Sequence, residues 1–401
     1  MRYLIPLIAL FLTSCNSNER EIQDHNDLEQ ISIDVSKSEE IMMSDFFDSI
    51  DYVTLKTPDS DVIGRIRKIV IQDDYMAFLD QAKNSIWIHT AEGEYVNEVA
   101  IPVGRGPGEL EQIEDIVFTG NNEIHALGAF KIVVYKMDGE YQREVPFRFF
   151  IYRFTYDEDS ELYIGYAANS LNDILDNTHS GKNLIVFNNK GEIVDSFLPI
   201  PEGRQELGYL VPNKFPTYNG ETLFFPHLVD TVYTITSSGA SPKYALDYDD
   251  YSVTDEVFAR RSIYDNSEHS AFEFTENELW ANDYVSNMTF FNETDAYIFF
   301  RIGVGRTQYN VIYDKNKKES KVGPMKFVND MDFGFVPNIY ASYDTALYSI
   351  IEAGDLIRQL NDLYENEPEK YAQPNTQNLV RLARSVSENN NPILQIATFK
   401  E

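Results

Sequence analysis

Apolar residues in this chain fall in short alternating runs, the period-two pattern of half-buried strands, and the runs recur in one order. A short apolar strand is followed by a polar turn, a second alternating strand and a turn carrying glycine. Lys68–Asp80 with Ser85–Thr90, Asp115–Phe118 with Lys131–Tyr135, and Arg153–Tyr156 with Asn183–Phe187 are three such units. Each runs into a similar hairpin, Glu92-Gly93-Glu94-Tyr95, Asp138-Gly139-Glu140-Tyr141 and Lys190-Gly191-Glu192-Ile193, where glycine supplies the positive φ of a tight turn. With Gly239 as a fourth, the glycines are spaced by 46, 52 and 48 residues. A four-stranded propeller blade takes about 40–50 residues. A fifth unit spans Asn287–Asn292, Tyr297–Phe300 and Tyr309–Tyr313, with a glycine-free hairpin at Asp314–Lys318. A sixth runs from Asp330 through Ile339–Ala341 and Leu347–Ile351 to Gly354. Ile66 to Gly354 is 289 residues, about 48 per unit for six units, and five or seven fit worse.

A propeller leaves no open edge when strands from both chain ends share one blade. Ile31–Val35 and Asp51–Leu55 precede the first unit, and Ile393–Phe399 follows an Asn389–Pro392 break, so the last strand is expected to pair near the start. Between about residues 353 and 388, two amphipathic helices are expected. Leu356, Leu360, Leu363 and Tyr364 share one face, and Leu379, Leu382, Ala383 and Val386 another. Such stripes normally face a core, so packing on the propeller's own surface is preferred to a partner-binding face. The expected fold is all-β: a six-bladed β-propeller over residues 31–401, with C-terminal amphipathic helices and a closing strand at 393–399.

The N-terminus changes the setting. Met1-Arg2 is followed by an apolar run from Tyr3 to Leu12, broken by Pro6 and shorter than the roughly 20 residues that cross a bilayer. Residues 1–14 are therefore read as a secretory signal. Leu12-Thr13-Ser14-Cys15 resembles the bacterial lipobox, which implies that Cys15 becomes a lipidated N-terminus; an ordinary signal peptide with an incidental cysteine is the alternative. Acyl chains contribute about 0.8 kcal/mol per buried methylene, so several hold a protein on a membrane. Cys15 is the only cysteine, so no disulfide is available. Residues 15–30 are polar and read as a flexible tether. Removing residues 1–14 takes away Arg2 and leaves 32 basic and 65 acidic side chains, a net charge near -33. That field repels phosphates, which excludes nucleic acid as a partner and disfavours anionic head groups.

Gly104-Arg105-Gly106-Pro107-Gly108-Glu109 lies between the first and second units. Together with the lipobox, Asp48–Leu55 and Asn391-Pro-Ile-Leu394, it resembles the six-bladed β-propeller lipoproteins of Bacteroidetes over nearly the whole chain. The resemblance implies the fold and the cell envelope, with the lipid anchor in the outer membrane. It names no reaction, because these families have no established general activity.

The glycine loop would expose backbone amides as an anion-binding nest, with Arg105 pairing Glu109 or a ligand carboxylate, although a structural turn between blades is preferred. No Lys followed by Ser or Thr completes a phosphate loop, and no nucleophile elbow, zinc motif or EF-hand is present. His89, His125 and His227 sit in strand-like runs and are read as ordinary half-buried or surface residues, and Asp73-Asp74 and Asp247–Asp250 as solvated turns. Residues 166–183 and 247–285 exceed what a hairpin needs. The second is rich in aromatic and acidic residues, and Arg260, Arg261, Trp280 and Tyr284 are its candidate ligand contacts. Two functions follow. The first is a membrane-anchored, non-enzymatic binding propeller without a cofactor, recognising a glycan, peptide or protein. The second is a calcium-dependent hydrolase or lyase resembling lactonases, with oxygen ligands gathered in the channel. Asp48-Ser49-Ile50, Asp230-Thr231-Val232 and Asp344-Thr345-Ala346 resemble the O-glycosylation signal of exported Bacteroidetes proteins, making Ser49, Thr231 and Thr345 candidate acceptors, Thr345 foremost.

Overall fold

The computed structural model describes residues 28–58, 61–209, 211–264, 270–336 and 339–401. The signal segment, Cys15 and the tether up to residue 27 lie outside the described residues.

The described chain builds six open sheets in chain order. Sheet I comprises Ile66–Gln72, Tyr75–Asp80, Ser85–Thr90 and Tyr95–Ala100. Sheet II comprises Asp115–Phe118, Glu123–Leu127, Lys131–Lys136 and Tyr141–Pro146. Sheet III has Arg153–Asp157, Leu162–Tyr166, Lys182–Phe187 and Ile193–Pro199. Sheet IV has Thr217–Tyr218, Glu221–Phe224, Thr231–Thr236 and Gly239–Asp247, and sheet V has Val285–Glu293, Tyr297–Val304, Thr307–Asp314 and Glu319–Pro324. Sheet VI takes Ile339–Tyr343 and Ala346–Ile351, then the C-terminal strand Ile393–Phe399, then Phe47–Thr54 from the N-terminal end.

Residue choice follows position in the sheet. Middle strands are covered on both faces by neighbouring sheets, so they are apolar almost throughout, as in Ile86, Trp87 and Ile88, all fully buried. Fourth strands face solvent on one side and read as half-buried, as in Tyr95–Ala100. The hairpin glycines have a second duty besides their positive φ. A Cβ on Gly191 would lie 1.8 Å from Pro146 O, and one on Gly93 would lie 2.4 Å from Thr54 O, each on the fourth strand of the preceding sheet. Side chains there would push the sheets apart.

The C-terminal strand pairs as expected. Ile396 sits opposite Asp51 on one side and Tyr348 on the other, both antiparallel. Asn391 locks the turn before it, donating to Leu55 O at 3.0 Å and Thr57 Oγ1 at 2.7 Å and accepting from Ile63 N at 2.9 Å.

Three expectations need correction. The strand at the N-terminal edge is Glu29–Ser32 and takes no part in closure; it adds parallel to Gly239–Asp247 as a fifth strand of sheet IV. Ile31, Ile33 and Val35 are buried there with Tyr244, Leu246 and Val322, and this apolar contact between sheets IV and V decides the pairing. Glu29 and Gln30, read from the sequence as the end of a polar tether, belong to this strand. The helical segment holds three helices, not two: Ala353–Asn366, Pro368–Tyr371 and Gln377–Ser385. Leu356, Leu360, Leu363, Leu379 and Val380 are buried with Ile351 and Ile393, so the stripes cover sheet VI, but Tyr364 is 62% exposed and packs edge-on against Tyr371.

Candidate functional site

Because the strands of each sheet run up and down, the links between second and third strands leave from the same end as the links between sheets. The tight turns leave from the other. First strands of sheets I and II, II and III, IV and V, V and VI, and VI and I are in contact. Sheets III and IV share a core of Tyr166, Leu184, Val186, Phe224 and Ile235, and Arg153 Nε donates to Val211 O, in the link between them, at 2.8 Å.

Two cavities follow one another between these first strands. One of about 270 Å³ is bordered by Gln72, Phe118, Thr155, Thr217 and Tyr343, from five sheets. A second, of about 250 Å³, is lined by Arg65, Arg67, Gln81, Arg153, Pro212 and Tyr340 with Ile66. Its residues immediately precede those of the first along four segments of chain, so the second cavity is the mouth of the first at the long-link end.

The mouth is basic. Arg153 is 3% exposed, and its Nη1 donates to Glu114 O at 3.2 Å and Tyr152 O at 2.6 Å. Arg67 Nη1 reaches Gln81 Oε1 at 3.3 Å. Just inside, Lys68 Nζ donates to Asp115 Oδ1 at 2.6 Å and Ile116 O at 3.0 Å. Burial lowers the Lys68 pKa from its ordinary value, and the Asp115 charge opposes that shift. The other end carries acidic turns, including Asp73-Asp74, Glu158-Asp159, Asp295 and Asp344.

The side chains singled out from sequence stand elsewhere. Arg105 is exposed and pairs with Glu111 at 2.9 Å, not with Glu109. Glu109 turns inward and takes Gly106 N at 2.7 Å, while Lys131 Nζ donates to Gly106 O at 2.6 Å and Tyr135 OH to Gly108 O at 2.7 Å. The nest is filled by its own glutamate, and the loop is a structural turn. In the 247–285 insertion, Val257, Phe258, Phe274 and Leu279 bury with Leu207 as a small separate core. Arg260 Nε donates to Glu278 Oε2 at 2.8 Å, Arg261 Nη2 to Ser270 Oγ at 3.0 Å and Trp280 Nε1 to Ser286 Oγ at 3.2 Å, while Tyr284 packs on that core. None of the four lines the mouth. Both insertions lean on the link between sheets III and IV: Glu206 N donates to Asn169 O at 2.9 Å, and Leu207 enters the small core.

His89 and His125 lie in strands, but His227 sits in the turn after Glu221–Phe224 instead of in a strand, and all three are more buried than expected: His89 and His125 are 0% exposed and His227 9%. Burial pushes His125 down to about 4 and, with the Lys214 charge, His227 to about 3. Among the described residues no group of three or more His, Cys, Asp or Glu side chains could hold a metal ion. Of the glycosylation candidates, Ser49 lies half-buried in an edge strand, Thr231 is 3% exposed at a strand start, and Thr345 occupies the turn after Asp344. Among the described residues no helix is long and apolar enough to cross a membrane.

Comparison with known proteins agrees at the level of fold. A Bacteroides fragilis protein described as exported has a crystal structure that superposes with a TM-score of 0.73 at 19% identity, covering 93% of this chain and 100% of that one. A member of the DUF4221 family from Bacteroides vulgatus reaches a TM-score of 0.44 at 10% identity, over 91% of this chain and 99% of that one. A streptogramin B lyase reaches 0.37 at 14% identity, over 76% and 80%. No curated protein matches the sequence. The profile of a domain of unknown function, DUF4934, matches residues 28–398, and the chain belongs to that family.

Proposed function

We propose that the six sheets are the blades of one propeller around the arginine-mouthed channel, and that the protein is a non-enzymatic binding module of the cell envelope. The contacts of Gly93, Gly139 and Gly191 with the preceding sheet support the ring, since Gly93 of sheet I meets sheet VI as Gly191 of sheet III meets sheet II. Cys15 would carry the lipid anchor in the outer membrane, with a glycan, peptide or protein as the ligand. One observation carries the binding role. Among the described residues, ten of the thirteen exposed large apolar side chains stand at the long-link end, including Phe130 and Phe150 as a ring pair 5.4 Å apart. Concentrated apolar exposure marks an interaction surface.

Glycan and peptide arrays probed with residues 28–401 test this reading. Binding is expected to fall in Phe130→Ala/Phe150→Ala and to survive Val194→Ser at the tight-turn end. The opposite pattern would contradict it, and recovery of a cleaved ligand would favour a hydrolase or lyase. Cys15→Ala in the full chain should release the protein from membranes; retention under high salt would remove the anchor. Intact mass of the native protein tests a glycan at Thr345, which adds hexose mass beyond the lipidated chain.

A further inference from the structure

The charges at the channel mouth are arranged differently from those elsewhere on this molecule. A groove of about 760 Å³ beside the N-terminal strand gathers Lys37, Lys317, Lys318 and Lys321, but each is paired, with Asp34, Asp314, Glu29 and Glu39 respectively. That groove is already neutralised. At the mouth, Arg65, Arg67 and Arg153 line one cavity, and among the described residues none of them pairs with a carboxylate, although the chain has 65 acidic side chains against 33 basic ones. Arg153 is also the most fixed, with its guanidinium held by the carbonyls of Val211, Glu114 and Tyr152. A buried, prealigned guanidinium offers its remaining donors without losing rotamer freedom on binding.

We infer that this mouth binds the oxyanion end of an acidic ligand, held by Arg153 from within and by Arg67 and Arg65 at the rim. This deepens the binding-module reading and rests on it. The size of the cavity fits a head group better than a whole molecule, since sites for drug-sized ligands occupy roughly 300–1,000 Å³. The second cavity of about 270 Å³ behind it takes whatever follows, past Lys68. With Nε and Nη1 engaged by carbonyls, Arg153 offers Nη2 to a ligand, and guanidinium donors bind carboxylate and phosphate oxygens alike, so the shared chemistry is a planar or tetrahedral oxyanion. The acidic turns at the far end oppose entry of an anion from that side, which makes the basic mouth the entrance.

Isothermal titration of the full chain at constant ionic strength, with citrate, inorganic phosphate and glucose as probes, tests the inference. Saturable binding of citrate or phosphate is expected, with no heat from glucose. The tighter of the two anions identifies the source as carboxylate or phosphoryl. Arg65→Ala/Arg67→Ala removes only rim side chains and should weaken that binding by about tenfold or more. Arg153→Gln should abolish it, its fold verified by the melting curve. No saturable binding of either anion, or equal affinity in the rim variant, overturns the oxyanion site. If array binding through Phe130 and Phe150 persists in that case, only this inference falls; loss of both removes the binding face itself.

Discussion

Lys214 carries a basic amine into a space bounded by the rings of Tyr166, Phe224 and Phe225, at 4.9, 5.6 and 4.2 Å from their centroids, and it is 3% exposed. Burial, with the nearby Arg153 charge, holds its pKa well below the usual lysine value. The cation–π contacts offset part of the desolvation but leave the folded state with a poorer proton site than the unfolded chain. Stability should therefore rise with pH up to the ordinary lysine pKa of about 10.4. Lys214→Met removes this penalty, and urea melts at pH 7 should show a gain of about 1–2 kcal/mol that shrinks toward pH 10. A loss of stability at pH 7 would show that the aromatic cage outweighs burial. His125 shows the same sign in an accessible window. Its folded pKa of about 4 lies below the unfolded value, so between pH 6.5 and 4 the unfolded chain binds a proton that the native state refuses. Stability falls by about 1.4 kcal/mol per pH unit from this group as pH drops through that range. His125→Gln, which keeps a donor toward Glu123, should flatten the decline, and a slope identical to wild type would contradict the assignment.

Among the elements, Asn391→Ala should destabilise the body by about 1–3 kcal/mol, because it strands Ile63 N and two acceptors in the link between sheets VI and I. Thermal melting measures it, and an unchanged midpoint would mean that this turn carries no part of the closure. That turn was legible in the sequence as a polar break before an alternating run, as were the hairpins at Gly93, Gly139 and Gly191, because local turn chemistry and period-two patterning are short-range signals. A strand was legible at Ile31–Val35, overlapping Glu29–Ser32 only at Ile31 and Ser32, but not its partnership with sheet IV, since parallel addition across 200 or so residues leaves no local mark. The 247–285 insertion misled for a physical reason. Exposed aromatic and arginine residues look alike whether they wait for a ligand or close a miniature core, and here Phe258, Phe274 and the Arg260–Glu278 pair do the latter. The mouth arginines were missed because Arg153 is distant in sequence from Arg65 and Arg67. Superposing the first strands of successive units would have aligned Arg67 and Arg153 at strand starts.

On the scale of the whole molecule, the two chain ends meet in sheet VI, and the long links gather at one end with most of the exposed apolar side chains. The proposed ring would have to assemble as a unit, since the proposed binding face draws on links from several sheets. Removing Ile393–Phe399 would expose the edges of Phe47–Thr54 and Ala346–Ile351 together and separate Phe47–Thr54 from the rest of sheet VI. The most direct test is calorimetric unfolding of residues 28–401 beside residues 28–392. A closed ring is expected to give a single cooperative transition in the longer protein and no comparable transition in the shorter one; a melting curve unchanged by the truncation would contradict closure and, with it, the shared binding face.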